Sequence, residues 1–246
     1  MNRTNVDKKS PVPLYYQIKE TLKEKIEGGS LDPHERLPSE RELEKDYGIS
    51  RMTARRALRE LESEGYVYRE QGKGSFVAEP KLRQGLLQLS GFTEDMKNRR
   101  MKPGARVLEQ KVIESDEDLA NNLSLESGDR VFLLQRVRLA EEEPLAIETT
   151  HLRYALCEGI EDYDFSERSL YSTLRGEFDI RLSRAEQSVE ASLANEFEAA
   201  NLKVDEGAPM LITERTTYLG DEKTPIEYAR STYRGDRYKL FVKLKG

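Results

Sequence analysis

Ser50-Arg51-Met52-Thr53-Ala54-Arg55-Arg56-Ala57-Leu58-Arg59-Glu60-Leu61 reads as one helix with two opposed faces. Arg51, Arg55 and Arg59 stand four apart and share a face, with Arg56 to one side. Ala54, Ala57, Leu58 and Leu61 form the inward face, and Gly65 marks the end. Three residues upstream of Ser50, a second short helix ends near Tyr47-Gly48 after burying Leu43. It opens at Ser39-Glu40-Arg41-Glu42, a capping box in which the Ser hydroxyl accepts from the backbone and the Glu returns the bond. Two short helices about a tight glycine-containing turn describe a helix-turn-helix.

Further upstream, Leu14, Ile18, Leu22 and Ile26 make one apolar stripe on a helix that Gly28-Gly29 ends. Residues 1–10 are polar and expected to be disordered. Downstream, Tyr66-Val67-Tyr68-Arg69 and Ser75-Phe76-Val77 flank Gln71-Gly72-Lys73-Gly74, the pattern of a β-hairpin wing.

A helix that buries one face and offers guanidinium groups on the other suits the DNA major groove, where Arg takes guanine O6 and N7 in a bidentate pair. Ser50 and Thr53, near the helix N-terminus, suit phosphates, and Lys73 between its two glycines suits the minor groove or a phosphate. The plain alternative for the arginines is a solvated charged face. The chain's net charge of −6 does not exclude DNA, because residues 1–80 hold 15 Lys/Arg and 15 Asp/Glu, and residues 81–246 hold 25 and 31. A local basic stripe acts over a screening length, not over the whole chain.

The second half, from Ala105 on, alternates strand-like and helix-like segments. Val131–Leu139, Leu145–Leu152, Ser188–Ala191, Met210–Tyr218 and Ile226–Tyr233 read as strands. Asp116–Leu123, Glu167–Gly176 and Ala194–Leu202 read as helices. Hairpins at Glu141–Pro144 and Gly220–Thr224 imply antiparallel pairing. Pro80 to Leu89, with Leu82, Leu86 and Leu87, reads as a linker that docks. The single cysteine, Cys157, permits no intrachain disulfide and reads as a small buried side chain. His34 and His151 are the only histidines, so no metal site or cofactor is expected. His151 reads as packing at a strand end, and no nucleophile–base constellation stands out. No apolar run approaches the roughly 20 residues of a membrane span, and the N-terminus lacks the apolar core of a signal peptide. The cytoplasm, and no membrane contact, is the expectation.

Pro13-Leu14-Tyr15-Tyr16-Gln17-Ile18, Leu37-Pro38-Ser39-Glu40-Arg41, Ser50 to Leu58 and Gly72-Lys73-Gly74-Ser75-Phe76-Val77 together resemble the GntR family of winged-helix regulators. The resemblance implies that Arg41, Arg51 and Arg55 contact operator DNA, with the Gly72–Gly74 turn at the minor groove. Ser39, Ser50, Thr53, Arg56 and Lys73 complete the candidate DNA-binding set. From Phe92 to Tyr238 the chain is similar to the HutC-type branch, whose UTRA effector domain has a chorismate-lyase-like fold. The matching pieces include Arg136-Val137-Arg138-Leu139-Ala140, Ala146-Ile147-Glu148, Ser169-Leu170-Tyr171, Ser183-Arg184-Ala185 and Arg215-Thr216-Thr217-Tyr218. Within the branch it looks most like the N-acetylglucosamine-utilisation repressors, which sense a hexosamine phosphate.

The residues permit this. Arg136 and Arg138 alternate on a strand and so point to one face. Two guanidiniums there repel unless an anion lies between them, and a phosphate suits both. The alternative is a structural network with Glu148 or another acid. Ser169 and Tyr171 offer hydroxyls; Glu148 and Glu227 suit sugar hydroxyls or an amine; Tyr233 suits stacking; Arg184 suits pairing with either carboxylate. Ser90, Phe92 and Thr93 complete the candidate effector-binding set. Gly91 departs from the sugar-phosphate sensors, which tend to carry a hydroxyl residue there.

The expectation is an α+β chain: a winged helix-turn-helix at 10–79, a linker at 80–91, and a UTRA effector-binding and dimerisation domain at 92–246 with a largely antiparallel sheet. Its partners are double-stranded operator DNA, a small-molecule effector that is a phosphorylated sugar, and a second copy of itself. The rivals are the same regulator with another effector (another sugar phosphate, a phosphonate-related compound or an amino-acid catabolite) and a DNA-binding head fused to a chorismate-lyase-like enzyme.

Overall fold

The computed structural model describes residues 6–79, 81–85, 89–220 and 222–242. Helix placement in the first eighty residues follows a few apolar side chains and their caps. α1 (Leu14–Glu27) buries Ile18 and Leu22 and stops at Gly28. α2 (Glu40–Tyr47) begins at Ser39, whose hydroxyl accepts from the Glu42 N–H while the Glu42 carboxylate accepts from the Ser39 N–H at 2.7 Å. Gly48, at φ 61°, ends α2 in a left-handed conformation that glycine adopts without strain. α3 (Arg51–Ser63) is capped by Ser50 and buries Ala54, Ala57, Leu58 and Leu61. β1 (Val67–Glu70) and β2 (Gly74–Val77) pair antiparallel, and Tyr68 stacks on Phe76 across them. Leu37, Leu43, Val67 and Val77 join the helix residues in one core.

Residues 6–10 differ from the expected disorder, and residues 1–5 lie outside the described residues. Val6 packs against this core, the Asp7 N–H donates to Gln17, and Lys8 Nζ donates to the Gly48 carbonyl at 2.8 Å. Polar composition misleads here because the arm is held mainly by hydrogen bonds.

The chain separates into two compact units, Met1–Lys81 and Leu82–Gly246. The second unit comprises β3 (Leu82–Gly85), α4 (Phe92–Asn98), β4 (Pro103–Glu114), α5 (Glu117–Leu123), β5 (Arg130–Ala140), β6 (Glu143–Arg153), α6 (Leu170–Glu177), β7 (Leu182–Leu193), α7 (Glu196–Leu202), β8 (Pro209–Leu219), β9 (Pro225–Arg234) and β10 (Tyr238–Phe241). Six strands form one antiparallel sheet in the order β4-β5-β6-β9-β8-β7. β3 and β10 pair parallel apart from it. Thus the expected linker contributes a strand to the second unit; Leu86 and Leu87 lie outside the described residues.

Strand alternation divides the work between the two faces of the sheet. Val137, Ile147 and Met210 pack with Ala199 and Leu202 of α7. On the opposite face Phe132 and Leu134 pack with Leu170 and Leu174 of α6. Each buried Val, Leu, Ile, Phe or Met among these contributes about 1.5–3 kcal/mol. The same face of β5 continues with Arg136 and Arg138.

Candidate DNA interface and ligand pocket

In the first unit, Arg41 on α2 and Arg51, Arg55 and Arg59 on α3 are exposed and enter no ion pair among the described residues. Arg56 is engaged within the unit: it pairs with Glu60 at 3.3 Å and lies over the Tyr15 ring at 3.7 Å. Ser39 and Ser50 spend their hydroxyls on caps, and Ser50 shares a 2.8 Å bond with Thr53. Gly72 and Gly74 take φ of 75° and 122°, values the wing turn needs and other residues resist. Lys73 projects from this turn with its ammonium on Glu70 at 2.7 Å. Arg36, which the sequence reading missed, lies against Gly74: a Cβ there would sit 3.2 Å from its Nε. Arg36 is exposed, and its loop position, outside any helical stripe, gave no periodic signal.

In the second unit, strand register assembles a pocket. Arg136 on β5 faces Glu148 on β6, which faces Ser231 on β9, which faces Thr213 on β8. One step of the pleat along lie Arg215 opposite Ala229, then Thr217 opposite Glu227. All of these but Thr217 line the pocket floor. Ser90, Gly91, Phe92 and Thr93 at the start of α4, and Ser169 and Tyr171 at the start of α6, form the rim. Arg136, Arg138, Glu148, Glu227 and Tyr233 all line the same cavity, which holds about 40 Å³ of free space.

Its electrostatics are unusual. Arg136 and Arg138 are each 3% exposed. Arg136 Nη2 donates to Glu148 at 2.5 Å, and Arg138 Nη2 donates to the Thr93 hydroxyl at 2.9 Å. Nε and Nη1 of both arginines are buried without a hydrogen-bond partner. Burial, and next the charge of Arg136, pull the Arg138 guanidinium down to about 10. Burial alone would push the Glu148 carboxyl up, but the charges of Arg136 and Arg138 outweigh it and hold it below the usual range. Glu227 behaves oppositely: burial raises its carboxyl above the usual range, although Thr217 and Tyr171 each donate to the same oxygen at 2.6 Å. Burial also raises the Tyr171 hydroxyl. Three guanidiniums thus face one firmly ionised carboxylate and one reluctant one.

One sequence candidate lies elsewhere. Arg184 stands on the edge strand β7, pairs with Glu186 at 2.6 Å and stacks on Tyr218 at 3.8 Å. It reaches neither Glu148 nor Glu227. Arg215, to which the sequence reading assigned no role, lines the pocket, with Nε donating to Gln187 at 2.8 Å and Nη1 directed at the Ser90 carbonyl at 3.5 Å. Gly91 has a packing reason: a Cβ there would lie 3.2 Å from the Tyr171 ring.

Residues 14–77 match the model of the bacterial regulatory proteins of the gntR family, and residues 98–239 match that of the UTRA domain. The chain belongs to the GntR family. This GntR-family chain is a DNA-binding transcription regulator of the HutC type, with a UTRA effector domain. It is 45% identical to the HTH-type transcriptional repressor NagR of Bacillus subtilis, over 95% of this chain and 96% of that protein. It is 34% identical to the histidine utilization repressor of Pseudomonas putida, over 94% and 91%. The crystal structure of PhnF from Mycobacterium smegmatis superposes with a TM-score of 0.66 at 31% identity, over 93% of this chain and 99% of that one. Among the described residues no helix is long and apolar enough to cross a membrane.

Proposed function

We propose that this regulator is a homodimeric repressor of sugar-utilisation genes, amino-sugar genes foremost. A phosphorylated sugar, such as glucosamine-6-phosphate or N-acetylglucosamine-6-phosphate, fills the pocket and lowers operator affinity. The observation that carries this reading is the set of four buried guanidinium N–H positions on Arg136 and Arg138 that lack partners. Uncompensated buried charge is costly, and a phosphate dianion satisfies both groups with charge-assisted bonds. In this reading Ser90, Thr93, Ser169 and Tyr171 add polar contacts to the phosphate, and Phe92 closes over Arg138 at 4.6 Å. Glu148, Glu227 and Tyr233 read the sugar, and Arg215 supplements the positive field.

On the DNA side, Arg51 and Arg55 read base edges and Arg41 reads the backbone or a base nearby. Ser50, Thr53 and the Gly72-Lys73-Gly74 wing position the head. The protein works in the cytoplasm and performs no catalysis. Two-fold symmetry of the protein then demands a pseudo-palindromic operator. The effector acts by linkage: it must prefer a geometry in which the two heads no longer fit their half-sites.

Calorimetry with N-acetylglucosamine-6-phosphate and with N-acetylglucosamine tests this directly. The phosphorylated sugar binds at least tenfold more tightly; equal affinity would assign the two arginines to a structural network instead. The second reading, the same regulator with another anionic effector, draws on Glu148, which already compensates Arg136 in part. It also draws on a relative whose name concerns histidine utilization.

A further inference from the structure

In this structure the pocket is contracted, and it must widen to take the sugar phosphate just proposed. About 40 Å³ admits a water or two, whereas sites for small organic ligands run to roughly 300 Å³ or more. A groove of about 360 Å³ lies beside it, between α4 and the start of α6. Thr93, Arg138 and Ser169 line both spaces. The partition between them includes the 2.9 Å hydrogen bond from Arg138 Nη2 to the Thr93 hydroxyl. Resting on the reading of the pocket as a sugar-phosphate site, we infer that this groove is the passage by which the anionic effector reaches the arginines. The Arg138–Thr93 bond closes it.

Two further observations favour a passage. The first is charge. Lys97 on α4 and Arg168 before α6 line the groove along with Arg138, against a single acid, Glu167. Lys97 is exposed and enters no ion pair among the described residues, whereas Arg168 is drawn partly to Glu177 at 3.4 Å. A cleft with an excess of one sign focuses the field and speeds capture of a counter-charged ligand. The second is depth. Arg138, 3% exposed, is the buried cation at the inner end; its Nε and Nη1 make no hydrogen bond, and Nη1 lies 4.0 Å from Glu148, which leaves it able to receive an anion arriving from the groove. The sheet lines the pocket floor, and the Tyr171 ring packs on Gly91 at its rim.

A passage has a kinetic signature that a binding subsite lacks: obstruction slows entry and exit by the same factor and leaves the equilibrium alone. Ser172 is exposed on α6 and lines the groove. Ser172→Cys in the full chain, labelled with N-cyclohexylmaleimide, places a plug there. The native Cys157 is buried and its thiol is pushed up to about 12, so it stays unlabelled. The chain has no Trp and 12 Tyr, of which Tyr171 and Tyr233 line the pocket, so the sugar-phosphate-dependent change in tyrosine fluorescence follows binding. Stopped-flow mixing with N-acetylglucosamine-6-phosphate should give association and dissociation rates that both fall at least tenfold on labelling, with Kd unchanged. The unlabelled variant serves as its own folded control. Lys97→Gln should slow association at low salt and not at high salt. Unchanged rates after labelling overturn the passage while leaving the proposed function intact. A weakened Kd with faster dissociation also overturns it, making the groove part of the binding site. Wild-type protein that does not bind the sugar phosphate overturns both readings.

Discussion

At the scale of single residues, the pocket turns on Arg136. Losing one buried charge-assisted contact costs about 1.5–3 kcal/mol, or roughly tenfold or more in affinity. Arg136→Ala should therefore bind operator as the wild type does and fail to respond to the sugar phosphate, as read by mobility shift. On α3, Arg51→Ala or Arg55→Ala should weaken operator binding by about 1–3 kcal/mol; undiminished binding by both would remove them from the base-reading set. Glu227 carries a pH prediction. Its carboxyl is raised above the ordinary value of 4.5, so the folded state holds a proton that the unfolded chain releases first. That contribution is present below about pH 4.5 and is lost as pH rises through the folded value. Glu227→Gln keeps an oxygen for Tyr171 and Thr217 and should flatten this decline in melting temperature. Glu148 is lowered, so its contribution is lost only as pH falls below 4.5. The pocket's acids, bases and hydroxyls were legible as residue types, but their register was not. Arg215 stands in an expected strand, Arg184 lies upstream of the expected Ser188–Ala191, and both neighbour hydroxyl residues. Only the pairing of β8 with β9 puts Arg215 opposite Ala229 at the centre, and only the edge position of β7 sends Arg184 outward.

At the scale of elements, the caps are what made the first unit readable. Ser39 with Glu42, Gly48 and Ser50 mark three helix boundaries by side-chain chemistry alone, and the helices begin and end there. Ser50→Ala removes the acceptor for the Thr53 N–H and should cost about 0.5–2 kcal/mol. Calorimetric unfolding of the full chain should show this as a lower transition for the first unit, with the second unit's transition unmoved. In the second unit, α4, β4 and β10 carried no such mark. β4 is an edge strand whose residues are all half-buried or exposed, so its hydrophobic alternation is faint. β3 and β10 have four residues each, too short for a period to show, and their pairing joins residues about 156 apart. β7 extends well beyond the expected Ser188–Ala191 because its solvent-facing residues are polar on both sides of that stretch.

In the whole molecule, effector control of a two-fold operator requires a dimer and a coupling. Val189 and Leu193 on the edge strand β7, and Phe197 at the start of α7, are large apolar side chains left 40%, 65% and 49% exposed. Apolar surface of this kind on an edge strand suits a second copy. Sedimentation of the full chain should give a dimer at micromolar concentration, and Leu193→Glu should shift it toward monomer. Anisotropy of a labelled operator, selected from random duplexes and titrated with protein at fixed salt, measures the coupling directly. With N-acetylglucosamine-6-phosphate present, operator Kd should rise about 5–150-fold, the range of a coupling energy of about 1–3 kcal/mol. It should not move with N-acetylglucosamine, nor with the phosphorylated sugar when Arg136→Ala replaces the wild type. An operator Kd that is the same with and without the phosphorylated sugar, in a protein shown by calorimetry to bind it, would contradict the account.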